Sequence, residues 1–202
     1  MTTPVFYLLA SLYLTGFGVI HTLMVTNRAK VLAEGLMGDW FHWYRLFYNL
    51  VSVAIAGGFL WLFYPHDRLV WRWPESLFWV PLLGQSLGMG LTLWVLLFRF
   101  DIREFFGIKQ ILAGPQTTAP GKLPPLEIGG PFRICRHPLY LGTVLLFLFW
   151  PFITQLSLVF AVFALVYGTL GSIPEERKLL ENYGEAYAAY RKDKKRIIPF
   201  VF

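Results

Sequence analysis

The chain has 202 residues, of which 56% are hydrophobic and 18% aromatic, whereas only 15% are charged. Ordinary soluble domains carry about 25% charged residues, so the composition excludes a typical soluble protein and a disordered chain. The formal net charge is +6, and the single cysteine, Cys135, excludes an intramolecular disulfide.

Four runs without a charged residue predict membrane-spanning helices, each of which needs about 20 apolar residues to cross a hydrocarbon core of about 30 Å. The last run, 139–173, has 35 residues. At about 1.5 Å per residue it would form a helix of about 52 Å, so it is predicted to fold back near Pro151. The sequence therefore predicts one all-α integral membrane domain over 1–202 with five transmembrane helices, the last two forming a short helical hairpin. The predicted spans are 6–25, 46–63, 77–98, 139–152 and 156–173.

The distribution of basic residues predicts the orientation of the chain, because Lys and Arg accumulate on the cytosolic side of short loops. With the N-terminus outside, every basic residue except Arg68 and Arg72 falls on the inner side. The C-terminus, the loop 99–138 and the tail 174–202 are therefore predicted to be cytosolic. Because topology and attraction to membrane lipid explain the positive charge, nucleic acid is not an expected partner, and no obligate protein partner is indicated.

The loop and the tail carry further local signals. The loop 99–138 is rich in Gly and Pro, which predicts irregular backbone. Ser172 and Glu175 have the spacing of a capping box, and Pro174 fits a first helical turn. These signals predict an amphipathic tail helix that begins near Ser172, and Gly184 is a candidate break within it.

The remaining motifs indicate little about function. Gly84 and Gly88 form a GxxxG step that predicts close helix packing, and Cys135 is expected to be a bystander. No nucleotide-binding glycine motif occurs. No metal site is expected, because metal-ligand spacing is absent among the four histidines, His21, His42, His66 and His137.

The predicted fold-back brings both ends of the last apolar run to the same side of the membrane. Arg136 and His137 precede the run, and Pro138 places His137 near a helix N-cap, where free N–H groups favour an anion. Glu175 and Glu176 follow the run. Basic residues, a helix N-terminus and two carboxylates would therefore be neighbours.

S-Adenosylmethionine has groups that match this set. Its carboxylate suits the helix end or an arginine, its ammonium and ribose hydroxyls suit Glu175 or Glu176, and its adenine suits Phe132 or Tyr140. Aromatic faces also attract its sulfonium. Arginines beside a span and a Glu pair at a helix start are equally ordinary features of topology and capping, so the residues alone leave both interpretations open.

Three segments carry a family resemblance over about the last 75 residues. They are Gly130-Pro-Phe-Arg-Ile-Cys-Arg-His-Pro-Leu-Tyr-Leu-Gly142, Glu175-Glu176-Arg-Lys-Leu179, and the tyrosine-rich tail that closes in Arg196-Ile-Ile-Pro199. The chain thereby resembles the small integral-membrane methyltransferases that include isoprenylcysteine carboxyl methyltransferase and the phospholipid methyltransferases. The resemblance implies S-adenosylmethionine as the methyl donor. It implies donor contacts at Gln110, Phe132, Arg136, His137, Pro138, Leu139, Tyr140, Gly142 and Glu175.

The acceptor is less constrained. The carboxyl methyltransferases have an Arg at the position of Gly171, whereas the segment 100–110, His21 and Tyr44-Arg45 resemble the methanethiol S-methyltransferase branch. A small or lipophilic acceptor, best a thiol, is therefore expected. The alternatives are an isoprenylcysteine carboxyl or phospholipid methyltransferase, a sterol-reductase-like NADPH enzyme and a non-enzymatic membrane binding protein.

Methyl transfer from a sulfonium requires positioning and exclusion of water more than acid–base catalysis. A thiol acceptor must lose its proton, and a nearby cation favours the thiolate. Arg45, His21 and Glu176 are the predicted catalytic residues. His21 is equally compatible with a role as a hydrogen-bonded packing residue.

Overall fold

The computed structural model describes residues 1–99, 101–116, 125–199 and 201. Parts of the predicted loop 99–138 and of the predicted tail 174–202 lie outside the described residues. The chain divides into two compact units. The first unit comprises Met1–Asp67 and Leu97–Pro120, and the second comprises Arg68–Leu96 and Gly121–Phe202. The single domain over 1–202 stays a prediction.

The described part of the chain is mostly helical. The α-helices are α1 (Thr3–Val25), α2 (Asn27–Met37), α3 (Tyr44–Phe63), α4 (Trp79–Phe98), α5 (Ile102–Phe105), α6 (Ile108–Ala113), α7 (Pro138–Leu148), α8 (Gln155–Tyr183) and α9 (Glu185–Asp193). The strands are β1 (Leu69–Arg72) and β2 (Phe152–Thr154). Short 3-10 turns occupy Gly38–Trp43, Tyr64–His66, Glu75–Leu77, Gly114–Gln116 and Gly130–Arg133.

Helices α1 and α3 form the centre of the first unit and run antiparallel. The ring of Phe6, near the start of α1, packs edge-on against Phe63 at the end of α3, with centroids 5.7 Å apart. Further along, the Tyr13 hydroxyl donates a hydrogen bond of 2.9 Å to the carbonyl of Ile55. The pair is thus fixed by aromatic packing and by a polar contact between the two helices.

The segment after α4 contains two short helices, so the prediction of irregular backbone was wrong there. The Asp101 side chain caps α5 by accepting from the Glu104 N–H. Gly107 separates α5 from α6 with a φ of +85°, and a Cβ atom there would lie 2.9 Å from the backbone nitrogen of Leu46. A side chain fits neither this conformation nor this space, which is why the chain can turn and come close to α3.

Helices α4 and α7 approach each other closely in the second unit, which confirms the packing prediction for the GxxxG step. A Cβ on Gly84 would collide with the ring of Phe149, and one on Gly88 would lie 2.8 Å from the carbonyl oxygen of Gly142. Gly142 faces α4 in turn, since its own Cβ would lie 2.6 Å from Thr92 Oγ1. Small residues therefore line both sides of this contact.

The predicted fourth span, 139–152, is shorter in the structure. Helix α7 ends at Leu148, and β2 pairs antiparallel with β1 through Arg72 and Phe152. Among the described residues, four helical segments are long and apolar enough to cross a membrane: Thr3–Val25, Asn27–His66, Glu75–Phe98 and Gln155–Tyr183. The protein is an all-α membrane protein, and the five-span hairpin topology stays a prediction.

The sequence predicted a tail helix that begins near Ser172, but no new helix begins there. The capping box lies instead at Thr154 and Ser157, and α8 continues from there to Tyr183 with Pro174 inside it. A proline within a helix costs about 3 kcal/mol, so other contacts must hold this part of α8 in place. The predicted break at Gly184 is confirmed, with a φ of +54° between α8 and α9.

We expect Gly88→Ala to destabilise the protein, because the added methyl group meets backbone atoms of α7 that cannot move aside. Gly90→Ala in the same helix is the matched control. Its Cβ would have no neighbour within 4 Å, and alanine favours a helix over glycine by about 1 kcal/mol. Thermal unfolding in detergent should show a lower midpoint for the first variant only. Equal midpoints would contradict the close α4–α7 contact.

Candidate active site

The motif residues before α7 are held by the C-terminal segment of the chain. Pro138 is the first residue of α7 and His137 is its N-cap, as predicted. The backbone N–H of Arg136 donates to the carbonyl of Lys195 at 2.9 Å, and that of His137 donates to the carbonyl of Arg196 at 3.0 Å. The entry to α7 is therefore fixed by backbone pairing with residues far along the chain.

Glu176 is the centre of a buried ionic cluster. Its side chain is only 3% exposed. Arg136 Nε lies 2.8 Å from Glu176 Oε1, and His137 Nε2 lies 3.1 Å from the same oxygen. Arg196 and Arg191 each bring a guanidinium nitrogen to 3.5 Å from the carboxylate. These contacts neutralise the buried charge and explain why α8 passes through Pro174 without ending.

Glu175 differs sharply from its neighbour. Its side chain is 52% exposed, and its Oε2 lies 3.5 Å from His137 Nδ1. The imidazole of His137 therefore has one carboxylate at each ring nitrogen, with Glu176 on the buried side and Glu175 on the open side. Of the two adjacent acids, Glu175 is the one that an incoming ligand can reach.

Tyr140 lies beside His137, and its ring packs against two glycines of α8. Its ring centroid is 5.7 Å from that of His137. A Cβ on Gly168 would lie 2.8 Å from the Tyr140 ring, whereas one on Gly171 would lie 3.4 Å from the hydroxyl. The absence of a side chain at position 168 is what allows the ring to lie against α8.

Phe132 and Gly142 have defined structural roles. The Phe132 carbonyl accepts a 2.7 Å hydrogen bond from the Tyr190 hydroxyl, which ties the motif to α9. Gly142 packs against α4 through its missing side chain. Their predicted contacts with a methyl donor stay predictions, as do those of Leu139 and Pro138.

The predicted residues His21, Arg45 and Gln110 lie in the first unit. The Tyr48 hydroxyl hydrogen-bonds to the imidazole of His21, and Ser52 Oγ lies 3.1 Å from His21 Nδ1. Arg45 Nε donates to the carbonyl of Phe105 at 3.3 Å. Side chains of His21, Arg45, Tyr48 and Gln110 all line one cavity of about 430 Å³.

The structure thus places the predicted residues in two groups, one in each unit. The sequence analysis missed several residues of these two groups. Tyr190 and Arg191 had only the signal of a tyrosine-rich basic tail, and the cavity walls from α2 and the turn Gly38–Trp43 had no motif at all. Arg196 entered the sequence analysis only as the start of the closing segment Arg196-Ile-Ile-Pro199, whereas the structure places it against Glu176.

Curated relatives show which proteins this chain resembles. It is 30% identical to a methanethiol S-methyltransferase of Pseudomonas deceptionensis, covering 97% of this chain and 74% of the relative. It is 26% identical to methanethiol S-methyltransferase 1 of Bradyrhizobium diazoefficiens, covering 91% and 64%. It is 25% identical to a methanethiol S-methyltransferase of a Pseudomonas species, covering 96% and 86%.

Together with the apolar helices, these similarities define a membrane methyltransferase. No protein-family model matches the chain, and no solved structure matches it significantly. The identity and coverage of the curated relatives are nevertheless sufficient for a family assignment. The chain belongs to the methanethiol S-methyltransferase family.

We expect Cys135 to resist alkylation in the folded protein. Burial raises the pKa of its thiol from 9.0 to about 11, which lowers the thiolate fraction at neutral pH about 100-fold, and the side chain is fully buried. Maleimide labelling followed by mass spectrometry measures the rate directly. Ala189→Cys, at an exposed position of α9, is the control that should label rapidly. Equally rapid labelling of Cys135 in the wild type would contradict its buried position.

Proposed function

We propose that the chain is an S-adenosylmethionine-dependent methyltransferase that methylates the sulfur of a small thiol such as methanethiol. The names of the relatives support a thiol acceptor. The observation that carries the proposed donor site is the open carboxylate of Glu175 beside His137, at the first turn of α7.

The residues of this site fit the groups of the donor. His137 makes no side-chain cap on α7, so the first-turn N–H groups and the positive end of the helix suit the donor carboxylate. Glu175 suits its ammonium or ribose hydroxyls. The faces of Tyr140 and Phe132 suit the sulfonium and the adenine. When bound, S-adenosylmethionine supplies an electrophilic methyl group on a sulfonium sulfur, which keeps the electron pair when that group leaves.

Arg136 and Glu176 act indirectly in this proposal. The Arg136 guanidinium is engaged by Glu176 and by the carbonyls of Arg191 and Lys194. We therefore assign both residues to positioning His137 at the start of α7, and not to contact with the donor. The sequence had placed Arg136 among the donor contacts and Glu176 among the catalytic residues.

Arg45 and His21 are proposed to favour the thiolate form of the acceptor. The guanidinium of Arg45 carries a permanent positive charge and lines the cavity of the first unit. A cation near a thiol lowers its pKa, so the S–H proton can pass to water at neutral pH. His21, held by Tyr48 and Ser52, is the second residue proposed for this step.

The proposed orientation places the donor site in the cytosol, with the N-terminus outside, in a bacterial inner membrane. The accumulation of basic residues in 99–138 and 174–202 supports this orientation, and the organisms of the relatives support a bacterial membrane. The five-span topology with a final hairpin is part of the same proposal. The contact between His137 at the start of α7 and Glu176 in α8 supports it.

We predict that Glu175→Gln weakens binding of S-adenosylhomocysteine at least about tenfold, because hydrogen bonds to charged groups contribute about 1.5–3 kcal/mol. Isothermal titration of the detergent-solubilised protein measures the affinity. Glu181→Gln is the matched control, since Glu181 lies exposed on the same helix. Wild-type affinity in Glu175→Gln would remove the proposed donor site.

We predict that Arg45→Met shifts the pH–rate profile for methanethiol to higher pH. Without the guanidinium the pKa of the bound thiol is higher, so less thiolate is present and the rate falls at neutral pH. The rate recovers as the pH approaches the pKa of the free thiol. The assay follows a labelled methyl group from S-adenosylmethionine into dimethyl sulfide. Arg28→Met, an exposed cation of α2 outside the cavity, should keep the wild-type profile. An unshifted profile in Arg45→Met would exclude the role given to this residue.

A further inference from the structure

The cavity of the first unit is much larger than methanethiol requires. Its volume is about 430 Å³, within the range of about 300–1,000 Å³ that is usual for sites of drug-sized ligands. A cavity of about 150 Å³ already holds a benzene molecule, whereas methanethiol has one carbon and one sulfur atom. The space therefore fits a ligand with an aromatic ring and a further substituent.

The lining of the cavity has an apolar part and a polar part. Phe41, Phe105 and Met24 contribute apolar side chains, whereas His21 and Arg45 are among its polar residues. Apolar side chains accommodate the body of a ligand, and placed polar groups fix its orientation. The lining thus favours a ligand whose body is apolar and whose reactive end is polar.

The charged lining residues balance in sign. Lys30 and Arg45 carry positive charges, whereas Glu34 and Asp39 carry negative charges. The lining as a whole therefore does not select a ligand body of either charge. The effect of Arg45 is local, on the sulfur of the bound thiol.

We propose that this cavity binds the thiol acceptor, and that it accepts thiols with a ring-sized apolar body. The inference rests on the proposed function for the chemistry of the thiol. The acceptor S–H bond breaks with its proton passing to water, and the thiolate sulfur bonds to the methyl carbon. The methyl–sulfonium bond breaks with its electron pair on the donor sulfur, which leaves a methyl thioether and S-adenosylhomocysteine.

The test compares methanethiol and phenylmethanethiol as acceptors for the full-length protein in detergent. Burial of the ring should give phenylmethanethiol a KM about tenfold below that of methanethiol. A phenylmethanethiol KM equal to or above that of methanethiol would overturn the proposal.

Filling the cavity gives a second test. Val25 lines the cavity at the end of α1, whereas Leu23 of the same helix does not. In Val25→Phe the ratio of phenylmethanethiol to methanethiol kcat/KM should fall about tenfold, whereas Leu23→Phe should keep the wild-type ratio. Equal ratios in both variants would contradict a role for the cavity.

Binding measurements separate this inference from the proposed function. Isothermal titration with benzyl methyl sulfide, the thioether product, reports on the cavity without methyl transfer. Binding that Val25→Phe weakens supports the cavity assignment even if S-adenosylhomocysteine fails to bind and the donor proposal falls. Binding of S-adenosylhomocysteine without any binding of benzyl methyl sulfide would overturn the cavity assignment alone.

Discussion

The second unit depends on one buried carboxylate. Glu176 lies among Arg136, Arg191, Arg196 and His137, so a single side chain joins α8, the entry to α7 and the C-terminal segment. Removing one partner of a buried pair costs about 3–5 kcal/mol, because the charge left behind has no solvent. This constraint keeps the helix intact through its proline, and it leaves the adjacent acid, Glu175, free to face a ligand.

Much of the fold could be predicted because apolar runs and helix-start signals are local. The uncharged runs located α1, α3, α4 and α8, and Pro138 located the start of α7. The start of α8 agrees with the predicted span 156–173. Its passage through Pro174 could not be predicted, because a local capping pattern at Ser172 competes with long-range ion pairs that no local pattern shows. The helices α5 and α6 were missed because the whole loop 99–138 was interpreted from its glycines and prolines, most of which follow α6.

The sequence identified residues of the candidate site more reliably than it predicted their arrangement. The basic and acidic motifs named Arg136, His137 and Glu176 of the ionic cluster but not Arg191 or Arg196. Without the family resemblance, Glu175 and Glu176 were interchangeable in the sequence. Burial separates them, and burial depends on which face of α8 meets Arg136 and Arg196. The cavity walls from α2 and from Gly38–Trp43 carry no motif, because a cavity is formed by the spacing of helices and not by any residue type.

The shortness of α7 has a consequence for the surrounding lipid. Its 11 residues rise about 16 Å, about half of the hydrocarbon thickness, so the chain that follows must satisfy its peptide groups wherever acyl tails reach it. The pairing of β1 with β2 and the bond from the Gln155 N–H to the Arg68 carbonyl do so. If α7 crosses part of the membrane as proposed, a bilayer that meets its end at this ribbon would be thinned on that side of the protein.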